Sequence, residues 1–303
     1  GYMGFSFAQA FRTDPLLVRI LDKYGTSYLN DLDVHWNPIA QTIPVAGRQK
    51  VDSLLSDGFS IDDLFESLPV APWIGSNAWV IGPSKTKSGK VIFSNDTHMM
   101  FSQPSVWYEA HLVYPGQNLY GSYLAGVPFM VLGHNEHLAI GLTMFENDDI
   151  DFYLEQINPD NPNQAKFKDS WEDMSIREEV IKVKGAEDLK FEVQITRHGP
   201  IINDALDHVS KTTEEKVAMW WIFNEFPSQS LEASYLMSRA KDMESSRNAV
   251  SLGIAPGLNV MYGDKEGNIA WWTMAKLPRR PGHVNSKLFL DGASGADEIL
   301  GYF

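Results

Sequence analysis

Gly75-Ser76-Asn77-Ala78-Trp79, followed closely by Ser94-Asn95-Asp96-Thr97-His98, is the part of the chain that decides how the rest is read. Pro69 and Pro72 force an extended path into Trp73-Ile74-Gly75-Ser76, because a residue before proline is pushed out of helical backbone. Asn77 to Ile81 and Val91 to Ser94 flank Lys85-Thr86-Lys87-Ser88-Gly89-Lys90, a polar stretch with a glycine, which predicts a β-hairpin. A serine that opens such a strand behind a glycine can be freed as a chain terminus, with its own α-amine as base. An ordinary strand serine is the other reading of the same dipeptide.

Upstream, Leu16, Leu17, Ile20, Leu21 and Tyr24 share one helical stripe and Gly25 is a stop signal. Ser60 to Ser67 reads as a short helix, Ser60 being its N-cap and Asp62 and Asp63 lying in the first turn. Downstream the pattern turns to strands at Trp107 to Val113, Phe129 to Leu132, Leu138 to Leu142, Ile150 to Gln156, Phe191 to Thr196 and Ala218 to Ile222. Residues 158 to 164 read as a loop. A helix is predicted from 231 to about 252, on the spacing of Ala233, Leu236, Met237, Ala240 and Met243. Val260 to Tyr262 and Ile269 to Trp272 bracket a second hairpin turn, Gly263 to Asn268. The pattern is that of an α+β domain preceded by a helical arm, with a boundary between 1–75 and 76–303.

The composition narrows the function. With 303 residues, 44% of them hydrophobic, the chain can bury a large core. A net charge of −14, from 39 acidic and 25 basic side chains, disfavours nucleic acid or an anionic membrane as partner. Cysteine is absent, which excludes disulfides, thiolate metal sites and a cysteine nucleophile. No apolar run is long enough to span a bilayer, and Gly1-Tyr2-Met3 opens no leader, so any secretion signal is expected to be absent or removed. His134-Asn135-Glu136-His137 lacks the His-Glu-x-x-His spacing of a zinc helix and reads as a polar turn. There is no Gly-x-Ser-x-Gly elbow and no phosphate loop. Glu146-Asn147-Asp148-Asp149-Ile150-Asp151 is either a solvated acidic turn or a hard-oxygen site for Ca²⁺.

The order of these motifs closely resembles the penicillin acylase family, N-terminal-nucleophile hydrolases that include penicillin, cephalosporin and acyl-homoserine-lactone acylases. The markers are Gly75-Ser76-Asn77-Ala78-Trp79-Val80, Ser94 to His98, Pro104 with Trp107-Tyr108, Gly126-Val127-Pro128 and Gly133-His134-Asn135. Thr143, Asp148 to Asp151, His198-Gly199-Pro200, Asn259 ahead of Asp264 and Gly267-Asn268-Ile269, Arg279-Arg280 and Asp291-Gly292 complete them.

The resemblance implies an α+β N-terminal-nucleophile fold, an αββα sandwich of antiparallel sheets, and hydrolysis of a linear amide through an acyl-Ser76 ester. It implies Ser76 as nucleophile, released by cleavage after Gly75, with the Met144 backbone N–H and the Asn259 side chain as oxyanion donors. His98 stands where cephalosporin and homoserine-lactone acylases have histidine and would orient the terminal amine. Arg279 or Arg280 matches the family's arginine, with Arg279 favoured. Met99, Val131 and Leu132 match acyl-pocket positions, and Trp79 is a looser match. Asp148, Ile150 (through its carbonyl) and Asp151 match ligands of a structural Ca²⁺, and no organic cofactor is implied. The implied partners are a small amide substrate and the remaining α and β segments of the same precursor. The implied location is the bacterial periplasm or exterior. An inactive relative serving as a structural or calcium-stabilised binding module is the alternative.

Overall fold

The structure is a computed structural model that describes residues 10–32, 73–99, 101–145 and 147–303. The expected helix at Ser60 to Ser67 and the extended Pro69 to Pro72 segment lie outside the described residues. The fold is α+β with mainly antiparallel sheets, as expected. The chain forms two compact units that interleave in sequence, so the division does not fall at residue 75. The physical reason is that the Gly75–Ser76 peptide lies inside a continuous strand.

The first unit comprises the described residues of Leu64–Asn147 and Glu225–Leu277. Its strands are β1 (Trp73–Ile81), β2 (Ile92–Met99), β3 (Trp107–Tyr114), β4 (Gln117–Leu124), β5 (Leu132–His134) and β6 (Leu138–Met144). β1 and β2 form the expected hairpin, with Ser76 opposite Thr97 and Gly75 opposite His98. β3, β4, β5 and β6 continue into strands Leu258–Asp264 and Ile269–Met274 as one six-stranded antiparallel sheet. That sheet is sandwiched. Leu138, Ile140, Leu142, Leu258, Val260 and Tyr262 alternate onto one face and bury against Ala233, Met237, Ala249 and Val250 of helices Ser230–Arg239 and Met243–Val250. The opposite face, at Gly141 and Gly263, meets the hairpin. A Cβ on Gly141 would lie 2.8 Å from the Phe93 ring and one on Gly263 2.8 Å from Val91. Two missing side chains therefore set how closely the two sheets approach.

Several expectations shift. The single helix over 231–252 is two helices. Asp242 caps the second by accepting the Ser245 N–H at 2.7 Å, which ends the first run near Ala240. Phe129 to Val131 is irregular, and the strand begins at Leu132. Gln117–Leu124 is an additional strand, and residues 161–164, read as loop, open the strand Asn161–Phe167. The turn at His134 to His137 stands as read. Asn135 Oδ1 accepts from the His137 and Leu138 N–H groups, and its amide donates to the carbonyls of Ser238 and Ala240.

The second unit holds the described residues of Gln9–Asp63, Asp148–Asn224 and Pro278–Phe303. At its centre Ile150–Glu155 pairs antiparallel with Lys216–Trp221 and parallel with Leu290–Asp291. Helix Ala10–Tyr24 ends before Gly25, at φ +79°. Its Ile20 is buried with Leu29 among Leu16, Leu17, Leu21 and Tyr24, the stripe read from the sequence.

Candidate active site

Strand alternation sorts the hairpin side chains. Ser76, Ala78 and Val80 share the partly covered face, while Asn77, Trp79 and Ile81 point the other way and are exposed. On β2, Thr97 and Met99 share the face of Ser76, and His98 and Asp96 do not. This overturns Trp79 as a lining residue beside Ser76: it lies on the opposite face and is 65% exposed.

The electrophilic side of the site comes from an unequal pair of strands. β5 pairs with β6 at Ala139 and Ile140 and goes no further. The edge of β6 that β5 leaves uncovered presents backbone groups at Leu142 and Met144. Both are taken by the hairpin. Asn95 does for Leu142 what another strand would: Oδ1 accepts the Leu142 N–H at 2.9 Å, and Nδ2 donates to the Leu142 carbonyl at 3.0 Å and to that of Asn77 at 2.9 Å. Two residues on, the Met144 N–H donates to Ser76 Oγ at 3.0 Å. The Met144 side chain packs towards the helices, so its backbone alone serves the serine.

Asn259 stands in the adjacent strand, its neighbour Leu258 opposite Met144. Its Nδ2 donates to the Met144 carbonyl at 3.0 Å, and its Oδ1 accepts from Trp271 Nε1 at 2.9 Å. An indole N–H can only donate, so Trp271 fixes which end of the carboxamide carries the hydrogens. Of the expected donors, the Met144 N–H meets Ser76 directly, while Asn259 bonds the carbonyl of the same residue, one peptide further on. Asn95 and Trp271 are the contributors that motif reading passed over. Asn95 had a signal, a carboxamide at an inward position between Phe93 and Thr97. Trp271 had none before the register was known.

His98 reaches the other end of the Gly75–Ser76 peptide. Its Nδ1 lies 3.4 Å from where a Cβ on Gly75 would be, and Nε2 is 3.0 Å from Asp96 Oδ2 and 3.3 Å from Asn77 Nδ2. The imidazole therefore faces the glycine side of the bond rather than the hydroxyl. The strand register also slips between Trp73 and Gly75, a bulge one residue before the bond. Met99 and Val131 pack with Trp107 and Met144 against the sheet–helix core, and Leu132 is half-buried in β5. Met99, Val131 and Leu132 are all apolar, and of them Met99 lies on the hairpin, on the face of Ser76.

The remaining expected residues belong to the second unit. Arg279 is exposed and donates to the Leu300 carbonyl at 3.2 Å. Arg280, its alternative, is held at the acidic turn. Its Nε donates to Asp151 Oδ1 and Oδ2 at 3.1 and 2.8 Å, and its Nη2 to the Asp148 carbonyl at 2.8 Å. Lys287 Nζ donates to Asp148 Oδ1 at 2.7 Å, and Ser286 to Asp148 Oδ2. Asp14, buried on the helical arm, faces the same charges. Burial pushes its carboxyl up to about 8, against the pull of Lys287. Its Oδ2 has no hydrogen-bond partner among the described residues. Calcium takes six to eight oxygens. Here every carboxylate oxygen of Asp148 and Asp151 already accepts a bond. The described residues do not fit the expected Ca²⁺ at Asp148, Ile150 and Asp151.

A family model described as penicillin amidase matches residues 1–303. The chain is 32% identical over 212 residues to the acyl-homoserine lactone acylase QuiP of Pseudomonas aeruginosa, covering 68% of this chain and 25% of that protein. It is 30% identical over 232 residues to a penicillin acylase 2 proenzyme of a Pseudomonas species, covering 75% and 29%. Among solved structures, a thermostable penicillin G acylase from Alcaligenes faecalis is 26% identical with a TM-score of 0.66, over 75% of this chain and 40% of that one. The chain thus spans 25–29% of the length of these two curated relatives.

Proposed function

The chain belongs to the penicillin amidase family, and we propose that it carries the nucleophile and oxyanion donors of an acylase for linear amides. The observation that supports this most directly is the Met144 N–H on Ser76 Oγ at 3.0 Å, with the Asn259 carboxamide on the carbonyl of that residue. In the proposed maturation, Ser76 Oγ attacks the Gly75 carbonyl carbon. The C–N bond breaks and the acyl group moves to oxygen. Water then cleaves that ester, leaving a Gly75 carboxylate and a free Ser76 α-amine. Glycine suits this step because nothing beyond the backbone crowds the attack. His98, against Gly75, would then hold the new amine.

In turnover the α-amine, with an ordinary pKa of about 8, takes the Ser76 hydroxyl proton while Oγ attacks the substrate's acyl carbon. The developing oxyanion receives the Met144 N–H and Asn259 Nδ2, neutral donors of a kind worth about 3–4 kcal/mol each in other enzymes. The proton passes to the leaving amine, and water hydrolyses acyl-Ser76 by the same route. The named relatives act on acyl-homoserine lactones or penicillins. The apolar side chains of Met99, Val131 and Leu132 support an uncharged acyl group, and hence an acyl-homoserine lactone or a β-lactam amide. Arg279 receives no step in this scheme. The remaining segments of a longer precursor would complete the acyl and amine pockets, in an exported bacterial enzyme.

The test uses the full-length gene product. Intact-mass spectrometry should show two fragments split before Ser76 in wild type and one uncut chain in Ser76→Ala. The mature protein should release amine from a long-acyl homoserine lactone or a phenylacetyl amide in preference to a glutaryl amide. An uncut wild type with no hydrolysis would end the proposal.

A further inference from the structure

We propose that Arg280 and Lys287 take the place of a divalent cation at the acidic turn, so that this chain holds Asp148-Asp149-Ile150-Asp151 in shape with cations of its own. The turn needs a counter-charge. Asp148 adopts φ +50°, a left-handed conformation uncommon for a residue with a side chain, and Asp151 is fully buried three residues later. Two carboxylates and a backbone carbonyl converge there, the oxygen set that a hard cation seeks.

One guanidinium meets all three. Nε of Arg280 spans both oxygens of Asp151, Nη2 donates to the Asp148 carbonyl, and Nη1 lies 3.3 Å from Asp148 Oδ2. A planar fork of five donors suits this arrangement better than a point charge would. Lys287 covers the other oxygen of Asp148 at 2.7 Å. A calcium ion would have to displace bonds already made, because each carboxylate oxygen of Asp148 and Asp151 accepts from Arg280, Lys287 or Ser286.

The cations come from a loop shaped to deliver them. The Val284 N–H bonds the Pro281 carbonyl at 3.0 Å, and Asn285 Oδ1 accepts the Lys287 N–H at 3.1 Å, turning the chain between Arg280 and Lys287. Arg280 is 13% exposed and Lys287 39%, which grades them as an inner and an outer cation.

Thermal unfolding and equilibrium dialysis of the full-length protein with calcium chloride test this. Wild type should unfold at the same temperature in EDTA and in calcium, and should retain no stoichiometric calcium. Lys287→Met frees one oxygen of Asp148 near the surface. It should unfold at a lower temperature in EDTA and regain about 5 °C in saturating calcium, with no response to magnesium at equal ionic strength. One calcium per wild-type chain, a wild-type midpoint that falls in EDTA, or a Lys287→Met protein indifferent to calcium would each overturn the proposal. If Lys287→Met does not fold, the two wild-type measurements decide it.

Discussion

Asn95 offers the sharpest test of how the site is built. Its carboxamide makes three hydrogen bonds of 2.9–3.0 Å to the backbone of Leu142 and Asn77, at the edge where β5 has stopped. Asn95→Ala removes all three and leaves the Leu142 N–H and carbonyl and the Asn77 carbonyl without this partner. Each such bond contributes about 0.5–1.5 kcal/mol net, and stranding a buried partner costs about 1–3 kcal/mol. Water reaches part of this edge, so a loss of about 2–3 kcal/mol is expected in urea unfolding. Asn95→Asp is the more diagnostic change. It can still accept the Leu142 N–H, but sets a carboxylate against two carbonyl oxygens. At neutral pH it should cost at least as much as alanine. Acidification should return part of the loss, because a protonated acid can donate to one carbonyl again. Both variants should also slow cleavage at Gly75–Ser76, since Met144 lies two residues along the same edge. An aspartate variant as stable as wild type at pH 7, or an alanine variant within about 0.5 kcal/mol of it, would refute this account of the edge.

Two further outcomes follow from the same geometry. Trp271→Phe keeps the ring and removes the N–H that orients Asn259. It should lower kcat about fivefold, the equivalent of one hydrogen bond, with KM unchanged in the mature enzyme; a rise in KM at constant kcat would count against it. His198 is buried between Glu155 at 2.8 Å and Glu298 at 2.6 Å and stacks on Tyr153. Burial pulls its pKa down, but the hydrogen bonds from both glutamates outweigh that and leave it above 6.5. The His198 hydrogen bond in turn holds Glu298 below its ordinary 4.5. A raised histidine stabilises the fold fully below its unfolded pKa and loses that contribution as pH rises through its folded one. A depressed glutamate contributes above its unfolded pKa and loses this as pH falls. The stability gap between wild type and His198→Gln, about 3 kcal/mol, should therefore be widest between about pH 4.5 and 6.5 and narrow on either side. A gap independent of pH would refute a charged triad.

The hairpin that carries Ser76 is legible because it is local in sequence, whereas Met144 and Asn259, separated from Ser76 and Met144 by 68 and 115 residues respectively, enter only through the family resemblance. A polar six-residue turn and alternating neighbours announce the β1–β2 hairpin, and the Asn135 turn declares itself through its composition. What failed had a tertiary cause. Asn161–Phe167 begins with Asn-Pro-Asn, which reads as loop, yet it is held between two partner strands. The helix pair was read as one because apolar spacing persists across Ala240, whereas the break depends on a cap at Asp242. Trp79 was a different kind of miss. An odd-number offset of three from Ser76 already places it on the other face of a strand, and the spacing alone could have excluded it. The partner of Arg280 lies 129 residues away, a distance at which no periodicity speaks.

The separation of His98 from Ser76 across the hairpin has a chemical consequence of its own. A histidine on the serine's face could take the hydroxyl proton directly, as in a serine–histidine pair, and the chain would need no new terminus. Here the inner face offers Ser76 Oγ a donor from Met144, and the donors available there, Met144 and Asn259, stabilise negative charge rather than accept a proton. The imidazole instead touches Gly75, on the far side of the peptide. Among the described residues this leaves Ser76's own nitrogen as the base that the proposed cleavage after Gly75 would supply. On this argument, replacing His98 should impair the handling of that nitrogen, while replacing Asn259 should impair only the oxyanion. The two losses should then combine less than additively, because both groups serve one serine and neighbours in one network couple.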